Sequence, residues 1–89
     1  MFEQIMVQKL AQLEPALDAG DWEEVAQLAH SLKGSAGSFG YPRVTDIARE
    51  LEHAARRGEA ERARDNGRRL TALDEVQKLY RQNDNRETS

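Results

Sequence analysis

Eighty-nine residues suffice for one small domain with a single core and are too few to add a second module such as a nucleotide-binding kinase domain. The chain has no cysteine, which excludes a disulfide framework and a thiolate metal site; its net charge of -3 argues against nucleic acid as a main partner, because neutralising phosphates needs an excess of Lys and Arg. No apolar run approaches the roughly 20 residues of a membrane span, and the N-terminus lacks a secretory signal, so a cytoplasmic domain without membrane contact is expected.

From Phe2 to Ala19 the residues Phe2, Ile5, Met6, Leu10, Leu13 and Leu17 recur at offsets of three and four, the period of an amphipathic helix. Pro15 interrupts the pattern. Proline brings no backbone donor and crowds the preceding turn, so a kink, or a break into two helical pieces, is expected near Leu13. Gly20 ends the segment, and Asp21 is the expected N-cap of a second helix, with Glu23 and Glu24 near the positive end of its dipole. That helix is expected to bury Trp22, Val25, Leu28, Ala29, Leu32, Ala36 and Phe39, leaving His30 about 100° round from Ala29 at the stripe's edge. Gly40 stops it, and Pro42 suits the first turn of a third helix with the stripe Val44, Ile47, Ala48, Leu51 and Ala55. The short link makes the second and third helices antiparallel neighbours.

Gly58 closes the third helix, and Ala63, Asn66, Leu70, Leu73, Gln77 and Tyr80, reinforced by Val76 and Leu79, mark a fourth that is weakened locally at Gly67. Gln82 to Ser89 are polar and unpatterned and read as a frayed tail. The sum is an all-α antiparallel four-helix bundle in one domain spanning 1–89, its leading segment split or bent at Pro15. Trp22, Phe39 and Tyr80 fall on helix stripes and are expected in the core.

The chemistry concentrates in His30-Ser31-Leu32-Lys33-Gly34, followed by Gly37 and Gly40. Residues three and four apart share a helix face, so Lys33, Gly34 and Gly37 lie on the strip that carries His30. A glycine inside a helix costs roughly 1 kcal/mol relative to alanine, and room beside the imidazole for a phosphoryl group is a compensating reason at Gly34. Lys33 is expected to reach the oxygens of such a group, finding a strong partner only when they are present.

Other features read differently. His53 is followed by Ala54 and Ala55 and reads as an ordinary surface histidine. The stretch from Gly34 to Gly40 follows a helix, not a strand, and lacks the Gly-Lys-Ser/Thr ending of a nucleotide loop. Glu52 and Arg56, late in the third helix, are candidates to flank His30; together with Arg49 they read equally as a solvated charged face. Neither histidine has a carboxylate or thiolate at ligand spacing, so no metal site is expected.

These residues resemble the histidine-containing phosphotransfer (HPt) domains of bacterial two-component phosphorelays. The family pattern H-x-L-K-G with a further Gly after five residues is met by His30, Leu32, Lys33, Gly34 and Gly40; Asp21-Trp22-Glu23, Tyr41-Pro42 and the Leu51-Glu52 pair extend the likeness over essentially the whole chain. The resemblance implies a phosphocarrier without kinase activity of its own, since ATP-binding motifs are lacking. His30 would be the phosphorylation site, relaying a phosphoryl group between receiver-domain aspartates. Lys33 and Gly34 would support the phosphoryl group, Glu52 would orient the ring, Arg56 would flank it, and Gly37 and Ser38 would meet the receiver. It also implies a monomer with no cofactor, the Mg2+ belonging to the partner receiver of a response regulator or hybrid kinase. Two alternatives stand beside it: the phosphoacceptor domain of a chemotaxis-type kinase, and a plain helical scaffold whose histidine is incidental.

Overall fold

Five helices follow one another along the chain: α1 (Phe2–Ala19), α2 (Trp22–Phe39), α3 (Pro42–Arg56), α4 (Ala60–Ala72) and α5 (Asp74–Thr88). The computed structural model describes the backbone of residues 2–88 and the side chains of residues 4–81. Among the described residues there is no strand.

The helix ends follow local chemistry. Asp21 caps α2 by accepting a hydrogen bond from the Glu24 backbone N–H at 3.3 Å. Gly40 ends α2 at φ 80°, a left-handed conformation that costs glycine nothing, and its N–H bonds back to the Ala36 carbonyl. Pro42 occupies the first turn of α3, where its missing N–H is no loss. Only Gly40 and Tyr41 separate α2 from α3, so the chain reverses sharply and the two helices form a hairpin. This pair makes the most extensive helix contact in the molecule; α3 also packs on α4, α1 on α2, and α1 closes against both α4 and α5.

The core draws on all five helices, with Met6, Leu10 and Leu13 from α1, Val25 and Leu32 from α2, Val44 and Leu51 from α3, Leu70 from α4 and Val76 from α5 fully enclosed. Three sequence expectations give way. Of the kink or break expected near Leu13, the break does not occur: α1 continues through Pro15 as one helix. Both Pro15 and Ala11, whose carbonyl loses its donor, face solvent, where water can replace the bond; Leu13, Ala16 and Leu17 remain buried on the other side and hold the flanking turns together. The expected fourth helix is two: Leu73 turns extended at ψ 141° and α5 begins after it. Gln77, expected on the buried stripe, is exposed and donates from Nε2 to the Thr71 carbonyl at 2.7 Å, satisfying an acceptor that the break releases. Finally, Ile5 and Phe39 are 49% and 39% exposed, so neither belongs to the core. Trp22 and Tyr80 are half-buried against it, Trp22 beneath the Arg64 guanidinium at 5.2 Å.

Gly67 is not a weak point of α4 but a contact. It is buried, and a Cβ there would collide with Leu17 Cδ1, so the missing side chain lets α1 and α4 approach. Helical backbone continues to Thr88 across the segment expected to fray; the side chains of Gln82 to Ser89, and that of Phe2, lie outside the described residues.

Candidate functional site

His30 and Glu52 are 22 residues apart and symmetric about Tyr41, as are Gly37 and Thr45, which also face each other. Two antiparallel helices joined by so short a link bring such pairs together, and the hairpin thereby sets a residue of α3 beside the histidine of α2. Leu28, Ala29 and Leu32 are buried around the base of His30, so the ring is carried on a packed turn. Its own side chain is 65% exposed.

Glu52 is the centre of the site. The residue is only 5% exposed although its carboxylate bears a charge. Oε2 lies 3.1 Å from His30 Nδ1 and accepts from Arg56 Nε and Nη2 at 3.0 and 2.8 Å; Oε1 lies 3.0 Å from Lys33 Nζ in an ion pair. Burial by itself pushes the carboxyl up, but the Lys33 ammonium in its ion pair, the Arg56 fork and a contribution from His30 overcome that and bring it down to about 2. Glu52 is therefore ionised at neutral pH and can only accept. The hydrogen on the neutral His30 ring then sits on Nδ1, and the lone pair is left on Nε2, the other ring nitrogen.

Gly34 completes the opening. It is exposed, and a Cβ built there would meet nothing within 4 Å, so the strip beside His30 is clear. Gly37 and Ser38 are exposed further along α2. The structure thus gathers His30, Lys33, Glu52 and Arg56 into one network and leaves Gly34 as space beside it.

Two expectations are corrected here. Glu52 does not belong to a solvated charged face, being buried; Arg49 does, pairing with Asp46 at 3.5 Å with both side chains well exposed, and the Arg56 side chain is likewise exposed while its guanidinium reaches in to Glu52. The signal was in the spacing: Glu52 follows Ala48 by four and precedes Ala55 by three, which sets it on the apolar stripe of α3. Lys33 does not wait for a phosphoryl group to find a strong partner, because it already holds Glu52. Arg56 flanks His30 through the shared carboxylate and not by touching the ring. His53 is exposed on α3, near Glu50, Arg57, Glu59 and Arg62, and stands apart from the network.

The family model described as Hpt domain matches residues 1–82. Neither curated proteins nor solved structures gave a match.

Proposed function

Because this chain belongs to the Hpt domain family, we propose that it is a phosphocarrier in which His30 takes a phosphoryl group from one receiver-domain aspartate and passes it to another. Hpt domains are phosphocarrier modules and not kinases. The observation that carries the residue assignment is the contact of His30 Nδ1 with the ionised Glu52, which leaves an exposed Nε2 as the nucleophile.

In the reaction, the Nε2 lone pair attacks phosphorus in line, the N–P bond forms, and the P–O bond to the receiver aspartate breaks so that its carboxylate leaves. No proton has to move. The ring keeps its Nδ1 hydrogen and becomes cationic, and Glu52, already ionised at hydrogen-bond distance from Nδ1, favours that charge. Lys33 supports the phosphoryl oxygens, Gly34 leaves them room, and Gly37 and Ser38 let the receiver approach the exposed faces of α2 and α3. The chain needs no cofactor for this; Mg2+ sits with the receiver's acidic residues. Among the described residues no helix is long and apolar enough to cross a membrane, which suits a cytoplasmic monomer that meets soluble receivers. The finer architecture belonging to this reading is an antiparallel bundle of α1 to α4, supported by the hairpin of α2 and α3 and by the closure of α1 on α4.

The test is incubation with a panel of phosphorylated receivers. Acid-labile, base-stable phosphate should appear on His30 in the wild type and not in His30→Gln. Absence of label from every receiver would refute the reading.

A further inference from the structure

Glu52 divides its two oxygens unequally. Arg56 places two N–H donors on Oε2, the oxygen that also faces His30 Nδ1, while Lys33 faces Oε1. The arginine fork is held by two bonds from a planar group, although its side chain is the more exposed, 56% against 31% for Lys33; the lysine is a single ammonium on a flexible stem that makes only an ion pair. Lys33 and His30 are one helical turn apart, and Gly34 beside them is open.

A phosphoryl group on Nε2 therefore competes with Glu52 for the same lysine. If Lys33 alone balanced Glu52, its departure would strand a buried carboxylate, which is strongly unfavourable. We propose that Arg56 is a positioning residue that frees Lys33: it keeps Glu52 paired against His30 Nδ1, so that the Lys33 ammonium leaves Oε1 and turns to the phosphoryl oxygens. The inference rests on the phosphohistidine reading above and assigns the two cations different tasks. Arg56 stays with the carboxylate in both states, and Lys33 moves between carboxylate and phosphoryl group.

The experiment dispenses with receivers. Phosphoramidate, which transfers its phosphoryl group to imidazole with loss of ammonia, labels His30 in proteins that all carry His53→Gln, so that the other exposed imidazole takes no label: the parent, Lys33→Ala, Arg56→Gln and the double variant, each first shown to be folded by circular dichroism. Decay of the phosphohistidine is followed by phosphorus NMR. Lys33→Ala should shorten the lifetime about tenfold in the parent background and less than about twofold beside Arg56→Gln, the non-additivity expected of residues in one network. Arg56→Lys, which returns the charge, should restore most of the dependence on Lys33. Nitrogen-15 shifts of His30 before labelling supply a second readout: either single variant keeps the Nδ1–H tautomer, because one cation remains on Glu52, and the double variant loses it. Equal lifetime factors in the two backgrounds, or a double variant that retains the tautomer, would overturn the proposal. Failure of every phosphorylated receiver to transfer would sink the relay reading and leave this result intact.

Discussion

The two histidines of this chain are both exposed, and both lie on helices of the same hairpin, yet only one is equipped to carry a group. His30 meets an ionised, buried carboxylate on one ring nitrogen, its side chain is 65% exposed, and Gly34 one turn on adds no side chain beside it. His53 sits on the outer face of α3, and among the described residues no hydrogen bond holds its ring. What separates them is not exposure or residue type but a fixed acceptor that decides where the proton sits.

Exchanging one imidazole at a time gives the largest expected effect. His30→Gln should abolish phosphoryl acceptance while the melting temperature stays nearly unchanged, because the ring is exposed at the edge of the packed stripe. His53→Gln should transfer at the wild-type rate. Label on His30→Gln, measured by mass spectrometry after incubation with a phosphorylated receiver, would erase the distinction between the two histidines.

The acceptor itself can be removed next. Glu52→Ala leaves His30 Nδ1 without its partner and sets Lys33 and Arg56 near each other uncompensated. A hydrogen bond to a charged group is worth about 1.5–3 kcal/mol, so transfer should slow roughly 10- to 100-fold. Glu52→Gln, which keeps an acceptor oxygen, should lose less. Equal rates for all three proteins in a transfer time course would reduce Glu52 to a structural ion pair.

This contrast also marks how far the sequence could be read. The offsets among His30, Lys33 and Gly34 are fixed locally by one helix, so their shared strip on α2 is readable from the sequence. The role of Glu52 depends on the hairpin, and its burial is visible in sequence only as a position on the stripe of Ala48 and Ala55. The end of the chain was harder. Leu73, Val76 and Leu79 keep a helical spacing through the break, so periodicity alone cannot register the extended Leu73; the Gln77 contact that satisfies Thr71 is a tertiary detail of a polar residue. Pro15 misleads in the opposite sense, since its local penalty is offset by solvent on one side and core on the other.

Two glycines extend the comparison from chemistry to packing. Gly34 borders the open site and Gly67 is pressed against Leu17. Gly34→Ala should stabilise the fold by up to about 1 kcal/mol through helix propensity. Gly67→Ala has the same propensity gain but forces the Leu17 side chain aside, so it should gain less than Gly34→Ala. Urea unfolding should rank Gly34→Ala above Gly67→Ala. A bulkier Gly34→Gln should retain the stability and slow transfer, and full activity in that variant would mean that the space is not used by the phosphoryl group.

The last expected effect bears on stability and not on transfer: it is the one acidity exerts through Glu52. Its folded-state value, about 2, lies below the ordinary carboxyl value of 4.5, so the folded protein binds this proton less readily than the unfolded chain. The stabilisation is complete above about 4.5 and is lost as pH falls from there towards 2, as the carboxylate releases its hold on Lys33, Arg56 and His30. Glu52→Gln has no such group to titrate. Subtracting its urea-unfolding free energies from those of the wild type between pH 2 and 6 should therefore leave a difference that is flat above about 4.5 and slopes below it. A difference curve that stays flat down to pH 2 would mean that Glu52 is not held ionised by its neighbours, and with it would go the reason for assigning the His30 proton to Nδ1.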